Sequence, residues 1–260
     1  MTKNLADTAC YLTIVDNNYV PHLLAMLASL ARVEDEIPFF VAHLDLTQEN
    51  QNLIKDYAGS IGLKLNILLV DDLDLSVYQP CGNYPLVGWL KIHIDHFLPK
   101  QYLQILFIDP DTIVLQPLKP VFEIDMNGMP IASVIDKEDE NPTLKKELGI
   151  DLQDHYYNSG VMLIDRAAFN KKKIGEISSA FAIKNPDKIT FLDQCAFNAA
   201  CAGKMKDLDK KWNLMIGIFE GDPQQTRLVH YCAIKPWKEG GTPSIELYAH
   251  FRNKTPLPFR

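Results

Sequence analysis

The sequence predicts a single α/β domain with a mostly parallel central sheet and helices on both faces. In the first third of its 260 residues, apolar strand-like runs alternate with amphipathic helical patterns. That order is typical of parallel strands joined by right-handed crossovers. A later apolar run, 105–114, is interrupted by Asp109, Pro110 and Asp111, so a buried strand should end there.

The first elements follow from local patterns. The apolar run 10–15 is expected to be a buried strand, and Pro21 suits the first turn of the helix that follows it. A second strand is expected at 38–44. Thr47 is a plausible N-cap for a helix that ends near Gly59 or Gly62. A third strand at 65–70 completes the strand–helix–strand–helix–strand order.

The second half is less regular, and no linker or internal repeat divides it from the first. In chain order, the expected elements are an irregular segment at 71–88, a helix at 89–97, a strand at 131–135, a polar loop at 136–156, a strand at 161–164, and helices at 173–183 and 193–202. Aromatic and Pro/Gly-rich segments dominate from 212 onward, and about 223–237 has the composition of a loop.

Composition excludes several classes of protein. The net charge of −7 argues against a general nucleic-acid binder, which needs a basic face. No run of about 18 apolar residues is present, and the N-terminus lacks the apolar core of a signal peptide. Five cysteines without Cys-x-x-Cys spacing read as reduced thiols, so the sequence predicts a cytoplasmic protein: Cys10, Cys81, Cys195, Cys201 and Cys232.

The Asp109-Pro110-Asp111 segment is the first candidate for chemistry. Residues i and i+2 of an extended chain project to the same side, so the two carboxylates could converge on one cation. Pro110 restricts its own φ and favours extended geometry at Asp109. The carboxyl ends of strands are where open α/β sheets bind ligands. A solvated Asp-Pro-Asp turn is the alternative, and the segment alone leaves both open.

Familiar catalytic motifs are missing. The sequence has no Gly-x-Gly-x-x-Gly or Gly-x-x-x-x-Gly-Lys-Ser/Thr loop for phosphates, and Ser159 lacks the first glycine of a nucleophile elbow. His93 and His96 have i, i+3 spacing without the glutamate of a zinc-protease helix. Surface or packing roles suit these two histidines better.

Four further polar segments stand at the ends of predicted elements, and each alone has a structural explanation. They are Asp16-Asn17-Asn18, Tyr157-Asn158-Ser159-Gly160-Val161, Phe191-Leu192-Asp193-Gln194 and the run 229–237. The first is turn-like, and the third could be a simple helix N-cap. The last combines His230, Lys235 and Trp237. With an upstream Asp-x-Asp, His230 becomes a candidate third metal ligand.

Together these segments resemble the family 8 glycosyltransferases, which include glycogenin and bacterial lipooligosaccharide galactosyltransferases. The resemblance runs from about Tyr11 to Trp237. Four hallmarks occur in the family's order: Asp109-Pro110-Asp111 after an apolar strand, Asn158-Ser159-Gly160-Val161, Asp193-Gln194, and the segment from His230 to Trp237.

The resemblance implies a GT-A fold, which is a Rossmann-like mostly parallel sheet, and a nucleotide-binding front half at about 9–114. Residues 115–260 would then supply the acceptor, sugar and lid half. It implies a retaining transferase that uses Mn²⁺ or Mg²⁺ and a UDP-sugar, with glucose or galactose as the leading sugars. The acceptor would be a saccharide, a lipid-linked sugar, a protein or another hydroxyl compound. The sequence says nothing about oligomeric state.

The same resemblance implies roles for particular residues. Asp109, Asp111 and His230 would bind the metal. The other implied contacts are Asp16 and Asn18 with uridine, Lys235 with the diphosphate, and Asp136, Asn158, Asp193 and Gln194 with the transferred sugar or acceptor. Asp136, Asp193 and Gln194 are the catalytic candidates. Two positions depart from the family pattern. Cys232-Ala233 replaces a usual glycine. Trp89, which we count among the candidate donor contacts, stands where a basic residue near the donor sugar is common, with Lys91 two residues on.

The chemistry of the residues agrees with this interpretation. Glycosyl-phosphate cleavage places negative charge on the departing nucleotide, which a divalent ion can neutralise. Hard oxygen ligands with one imidazole suit Mn²⁺ or Mg²⁺. Two alternatives remain. A haloacid-dehalogenase-type phosphatase would need a second downstream acid pair, yet Gly221-Asp222 is followed by Thr226 rather than an acid. A nucleotide-sugar-binding protein with weak turnover is the other.

Overall fold

The computed structural model describes residues 4–33, 36–82, 84–221, 224–238 and 245–257. The strands are β1 (Ala9–Ile14), β2 (Phe39–His43), β3 (Leu65–Leu69), β4 (Gln104–Ile108), β5 (Thr112–Val114), β6 (Ile131–Ile135), β7 (Tyr157–Asp165), β8 (Met205–Asp207), β9 (Leu214–Met215) and β10 (Leu228–His230). The helices are α1 (Val20–Leu30), α2 (Gln48–Ser60), α3 (Ile94–Phe97), α4 (Pro142–Leu148), α5 (Arg166–Lys171), α6 (Ile174–Lys184), α7 (Leu192–Ala200) and α8 (Ile245–Arg252).

The main sheet has the order β3-β2-β1-β4-β7-β6-β8. Its first four strands pair in parallel, which confirms the predicted strand–helix–strand half. Helix α1 has a proline in its first turn, and Thr47 caps α2 by accepting a hydrogen bond of 3.2 Å from Asn50 N. The carboxyl ends of β1 and β4 therefore lie at one edge, as the Asp-Pro-Asp interpretation requires.

The second half adds strands of both directions. Strand β7 pairs antiparallel with β4 and β6, whereas β8 pairs in parallel with β6. Strand β7 begins at Tyr157, four residues earlier than the sequence predicts, because its polar residues Asn158 and Ser159 are buried inside the protein rather than in a loop. The sheet is thus mixed but mostly parallel, as expected.

Two other expectations are corrected. The predicted polar loop 136–156 contains α4, which begins where Asn141 accepts a hydrogen bond from Leu144 N and ends at the left-handed Gly149. The helix expected at 89–97 is largely a 3₁₀-helix, Leu86–His93, followed by the short α3. Local turn residues, rather than hydrophobic period, therefore set the bounds of α4.

A small second sheet has the order β5-β10-β9. It contains part of the segment 223–237 that the sequence predicts as a loop, because β10 pairs antiparallel with β5 and parallel with β9. Pro223 and Asp222 lie outside the described residues. His230 is paired with Thr112, so this sheet carries the distant histidine to the Asp-Pro-Asp segment.

The core lies on both faces of the main sheet. Along β1, Tyr11 packs into the cluster beneath α1 and α2, whereas Leu12 packs into the cluster on the opposite side with Phe107. All five cysteines are free thiols, as predicted. Among the described residues, no helix is long and apolar enough to cross a bilayer.

Candidate active site

A cavity of about 410 Å³ opens at the carboxyl ends of β1 and β4. The four polar segments that the sequence singled out all contribute to its lining. The predicted site residues among that lining are Asp16, Asp109, Asp111, Asp136, Asn158, Asp193, Gln194, His230 and Lys235. One cavity therefore collects side chains from across more than 200 residues of sequence.

Asp109, Asp111 and His230 form the acidic corner of this cavity. One potential ligand atom from each of the three lies within 4.8 Å of the others, so the expected convergence of the carboxylates is confirmed. His230 Nε2 lies 3.3 Å from Asp111 Oδ1 and 3.8 Å from Asp109 Oδ2. Two carboxylates and an imidazole in this arrangement are suited to a divalent cation.

Gly160 makes this close approach possible. A Cβ atom at position 160 would lie 2.1 Å from His230 Cε1 and 2.8 Å from Asp109 Oδ2. The backbone is also fixed here, since Asp109 N donates a 2.7 Å hydrogen bond to Gly160 O. Glycine at 160 is therefore needed for space beside the two side chains.

Lys235 stands beside the acidic corner as a partly buried cation. Its Nζ donates to Asp111 Oδ2, and Tyr231 N donates to Asp111 O at 3.0 Å. Burial alone would raise the pKa of Asp111, but Lys235 and His230 outweigh it and hold that pKa well below its usual range. Burial likewise opposes the charge of Lys235, yet Asp111 raises its pKa. Both groups are charged at neutral pH.

Lys91 joins the acidic corner to Asp193. Its Nζ lies 3.0 Å from Asp109 Oδ1 and 3.3 Å from Asp193 Oδ2, and the ammonium is buried. Burial disfavours that charge, but the two carboxylates raise the pKa of Lys91 overall. Burial raises the pKa of Asp193, an effect that Lys91 partly opposes. The Lys91 ammonium thus stands between the carboxylates of Asp109 and Asp193 at the cavity wall.

A strained turn presents Asp193. The preceding residue, Leu192, has φ of 45°, a left-handed conformation that costs about 1–3 kcal/mol for a residue other than glycine. Gly88 accommodates the Leu192 side chain, because a Cβ at 88 would lie 2.3 Å from Leu192 Cδ2. Sequence patterns predict a helix start here but not the strain that aims its first acid into the cavity.

The wall beyond Lys91, which we call the amide-rich wall, is an interlocked group of three side chains: Asn158, Gln194 and Asp136. Asn158 Nδ2 donates to Asp136 Oδ2 at 2.9 Å and to Gln194 Oε1 at 3.2 Å. Gln194 Oε1 also accepts from Ser159 N at 3.1 Å, and Gln194 Nε2 donates to Tyr156 Oη at 3.3 Å. These bonds give the wall one defined arrangement.

Asn213 connects this wall to the acidic corner, although the sequence gives no indication of it. The side chain is fully buried. His230 Nδ1 lies 3.0 Å from Asn213 Oδ1, and Asn213 Nδ2 donates to Asn158 Oδ1 at 2.9 Å. An asparagine before a short apolar strand is not distinctive, so only the three-dimensional contacts reveal it.

The structure separates two of the predicted contacts from the cavity lining. Trp89 is buried and stacks on Tyr78, with ring centroids 4.5 Å apart, and Lys91 lines the cavity instead. Trp89 is therefore not among the residues that line the cavity. The 3₁₀ geometry of this segment turns position 91, rather than 89, toward the acids. Asn18 is exposed and donates to Asp16 Oδ2 at 3.4 Å without lining the cavity.

Residues 231–238, which we call the loop wall, close the opposite side of the cavity. Cys232 and Ala233 line it, and burial raises the pKa of the Cys232 thiol to about 12. At its far end Trp237 stacks on His22, with ring centroids 3.5 Å apart, and contacts Tyr248 of α8. The segment is thus held at β10 and again at Trp237.

The architecture is that of the GT-A glycosyltransferases. The chain superimposes on the galactosyltransferase LgtC, solved in complex with donor and acceptor sugar analogues, with a TM-score of 0.83 over 95% of this chain and 96% of that one, at 18% identity. This likeness establishes the fold.

The sequence comparisons establish the family. The model of glycosyl transferase family 8 matches residues 10–241, so the chain belongs to that family. It is 23% identical to General stress protein A of Bacillus subtilis, over 92% of this chain and 91% of that protein. It is 22% identical to the lipopolysaccharide 1,3-galactosyltransferase of Salmonella typhimurium, over 90% and 74% respectively.

Proposed function

We propose that the protein is a metal-dependent, retaining hexosyltransferase that moves glucose or galactose from a UDP-sugar to a saccharide or another hydroxyl acceptor. One observation carries the proposal: the acidic corner, the buried Lys91 and the amide-rich wall share a single cavity at the sheet's carboxyl edge. Such a cavity can hold an anionic leaving group and a neutral sugar side by side. In this proposal, residues 9–114 bind the nucleotide and 115–260 supply the sugar and acceptor side.

The acidic corner fits Mn²⁺ or Mg²⁺. Asp109 and Asp111 supply hard oxygen ligands, and His230 directs Nε2 toward them while Nδ1 is engaged by Asn213. A metal-binding histidine characteristically has its other nitrogen held in this way. When bound, the ion would supply Lewis-acid neutralisation of the diphosphate.

Lys235 and Asp16 would bind the nucleotide. The Lys235 ammonium lies at the cavity edge beside Asp111, where it can also contact diphosphate oxygens. Asp16 accepts a 2.9 Å hydrogen bond from Tyr19 N on one carboxylate oxygen and a longer, exposed one of 3.4 Å from Asn18 Nδ2 on the other, which a ribose or base hydroxyl could replace. Asn18 is outside the lining, so we assign uridine recognition to Asp16 alone of the two.

The hydrogen bonds distinguish the roles of Asp193 and Gln194. The Gln194 carboxamide is occupied at both ends by Asn158, Ser159 and Tyr156. Asp193, by contrast, lines the cavity, and its Oδ2 is ion-paired with Lys91 Nζ at 3.3 Å rather than tied into the amide group. We therefore propose that Asp193 faces the reacting sugar, whereas Gln194 and Asp136 orient the wall that holds it.

Two further observations support the proposal. The name of the Salmonella relative includes a galactosyltransferase activity, which favours a hexose donor. The five free thiols support a cytoplasmic location, where disulfides are rare. The phosphatase alternative gains nothing from the family match, which leaves the weak-turnover binding protein as the second candidate.

The test is a donor screen that measures released UDP, with UDP-glucose and UDP-galactose, with Mn²⁺ or EDTA, and with or without oligosaccharide acceptors. We expect acceptor-stimulated release that EDTA abolishes and Mn²⁺ restores, and NMR of the first product should show an α linkage. Full activity in EDTA would refute the metal assignment. UDP-sugar binding without turnover for any donor would favour the binding protein, and a β linkage would remove the enzyme from the retaining class.

A further inference from the structure

Asn213 lies between the acidic corner and the amide-rich wall and touches both. It is fully buried just before β9, the strand that pairs with the His230 strand β10. Its oxygen faces His230 Nδ1 at 3.0 Å, and its nitrogen faces Asn158 Oδ1 at 2.9 Å. A carboxamide has one accepting and one donating end, so its direction decides what each neighbour must do.

That direction is fixed by the main chain. Gly160 N donates to Asn158 Oδ1 at 2.9 Å, while the other end of Asn158 donates to Asp136 and Gln194. Because a backbone N–H can only donate, the oxygen of Asn158 must point toward Gly160 and Asn213. Asn213 then has to present its nitrogen to Asn158 and its oxygen to His230.

The consequence for the imidazole is definite. An oxygen at Asn213 requires a proton on His230 Nδ1, so the neutral ring carries its lone pair on Nε2. That nitrogen faces Asp111 at 3.3 Å and Asp109 at 3.8 Å. A series of hydrogen bonds that begins at the Gly160 amide thereby selects the tautomer of His230 that can bind a cation in the acidic corner.

We propose that Asn213 is a positioning residue that sets the ligand tautomer of His230 and the orientation of Asn158 with one carboxamide. The idea rests on the proposed metal-dependent function. In this proposal Asn213, which lies outside the cavity lining, controls both the proposed ion ligand His230 and the amide-rich wall.

Two variants separate the two ends of the amide. Asn213→Ala removes both, and we expect Mn²⁺ affinity, measured with UDP from the electron paramagnetic resonance signal of free Mn²⁺, to fall about 10- to 100-fold. Asn213→Asp keeps the acceptor toward His230 but loses the donor toward Asn158. It should hold Mn²⁺ affinity within about 3-fold while kcat falls at least about 10-fold.

Asn198→Ala is the matched control. Asn198 is also buried and donates from its amide to Tyr157 O and Gln194 O, each at 2.8 Å, but does not contact His230. It should lower the thermal midpoint while leaving Mn²⁺ affinity unchanged. An equal affinity loss in this control, or wild-type affinity in Asn213→Ala, would overturn the proposal.

A measurement on the wild-type protein avoids any folding defect. Long-range ¹H–¹⁵N spectra, with the His230 signals assigned by their absence in His230→Gln, should show the proton on Nδ1. A neutral ring with its proton on Nε2 and none on Nδ1 would overturn the inference even if Mn²⁺ binds. Failure of wild type to bind Mn²⁺ with UDP would instead refute the metal-dependent function, and the tautomer would still decide the role of Asn213.

Discussion

One wall of the cavity is held by interlocking side chains from β7, from α7 and from the residue after β6, whereas the opposite wall is a short irregular segment held at a few points. The first, which we call the sheet wall, comprises Asp136, Asn158, Asp193 and Gln194, bound to each other or to Lys91. The loop wall, residues 231–238, is tied by Lys235 to Asp111 and by Trp237 to His22. The difference suggests that the sheet wall is prepared before substrate arrives, whereas the loop wall can adjust to it.

The largest expected effect is at the acidic corner, which both walls share. Asp109→Ala and Asp111→Ala should each lower kcat/KM at least about 100-fold, on the order of 3 kcal/mol, because each removes a proposed ion ligand. Initial rates of UDP release measure this. Asp72→Ala changes an exposed acid that pairs with His96, and it should retain wild-type rates. Similar rates in Asp109→Ala and Asp72→Ala would contradict the ligand assignment.

A second prediction tests whether Lys91, rather than Trp89, acts at the sheet wall. Lys91→Met leaves Asp109 and Asp193 without their shared ammonium and should lower kcat/KM by roughly 10-fold or more. Trp89→Phe keeps an aromatic ring against Tyr78 and should change it less than about 3-fold, with some loss of stability. Steady-state kinetics with one donor measure both variants. A larger loss in Trp89→Phe than in Lys91→Met would favour Trp89 as the donor contact.

A third prediction uses the close approach at Gly160. Gly160→Ala forces His230 and Asp109 apart, so we expect Mn²⁺ affinity to fall about 10-fold and stability to fall by about 1–3 kcal/mol. Isothermal calorimetry and urea unfolding measure the two effects. Gly59 lies inside α2, and a Cβ added there would meet nothing within 4 Å. Gly59→Ala should therefore be neutral or stabilise the fold by about 1 kcal/mol. Unchanged Mn²⁺ affinity in Gly160→Ala would show that the corner tolerates wider spacing.

A fourth prediction addresses the anchor of the loop wall. Burial lowers the pKa of His22 from 6.5 to about 4, against the attraction of Asp111 and with the help of Arg252 and Lys235. Because the folded-state pKa is depressed, this contribution to stability is complete above pH 6.5 and is lost as the pH falls toward 4, about 3 kcal/mol in all.

The measurement is urea unfolding at several values between pH 7 and pH 4. His22→Phe keeps a ring for Trp237 but cannot titrate, so its loss of stability over that range should be smaller by the same amount. Parallel curves for wild type and His22→Phe would show that His22 does not carry this dependence.

The smallest expected effect is in dynamics. Amide hydrogen exchange over 231–236 should slow when UDP and Mn²⁺ are both present, because Lys235 gains a diphosphate partner while β10 and Trp237 hold the ends. Exchange at 158–164 within β7 should not change. Full protection of 231–236 in the free protein would mean that the loop wall is as prepared as the sheet wall.

The sequence predicts the parallel half of the fold and the acidic pair well because both depend on local patterns. Thr47 caps its helix and Pro110 ends its strand through interactions that involve only near neighbours. Asn213 and Lys91 escaped prediction because their importance depends on partners far away in sequence. A segment of 3₁₀-helix rotates positions 89 and 91 differently from a regular helix, and a two-residue shift decides which side chain enters the cavity.

The corner at Asp109-Pro110-Asp111 has a mechanical consequence. Strand β4, which precedes Asp109, belongs to the main sheet, and β5, which follows Asp111, belongs to the small sheet. Each carboxylate therefore stands next to a strand of a different sheet. Asp109 is bonded through its main chain to Gly160, whereas Asp111 is bonded to Tyr231. A cation bound by both acids would link the two sheets. A shift of one sheet relative to the other would then change the distance between the two carboxylate ligands.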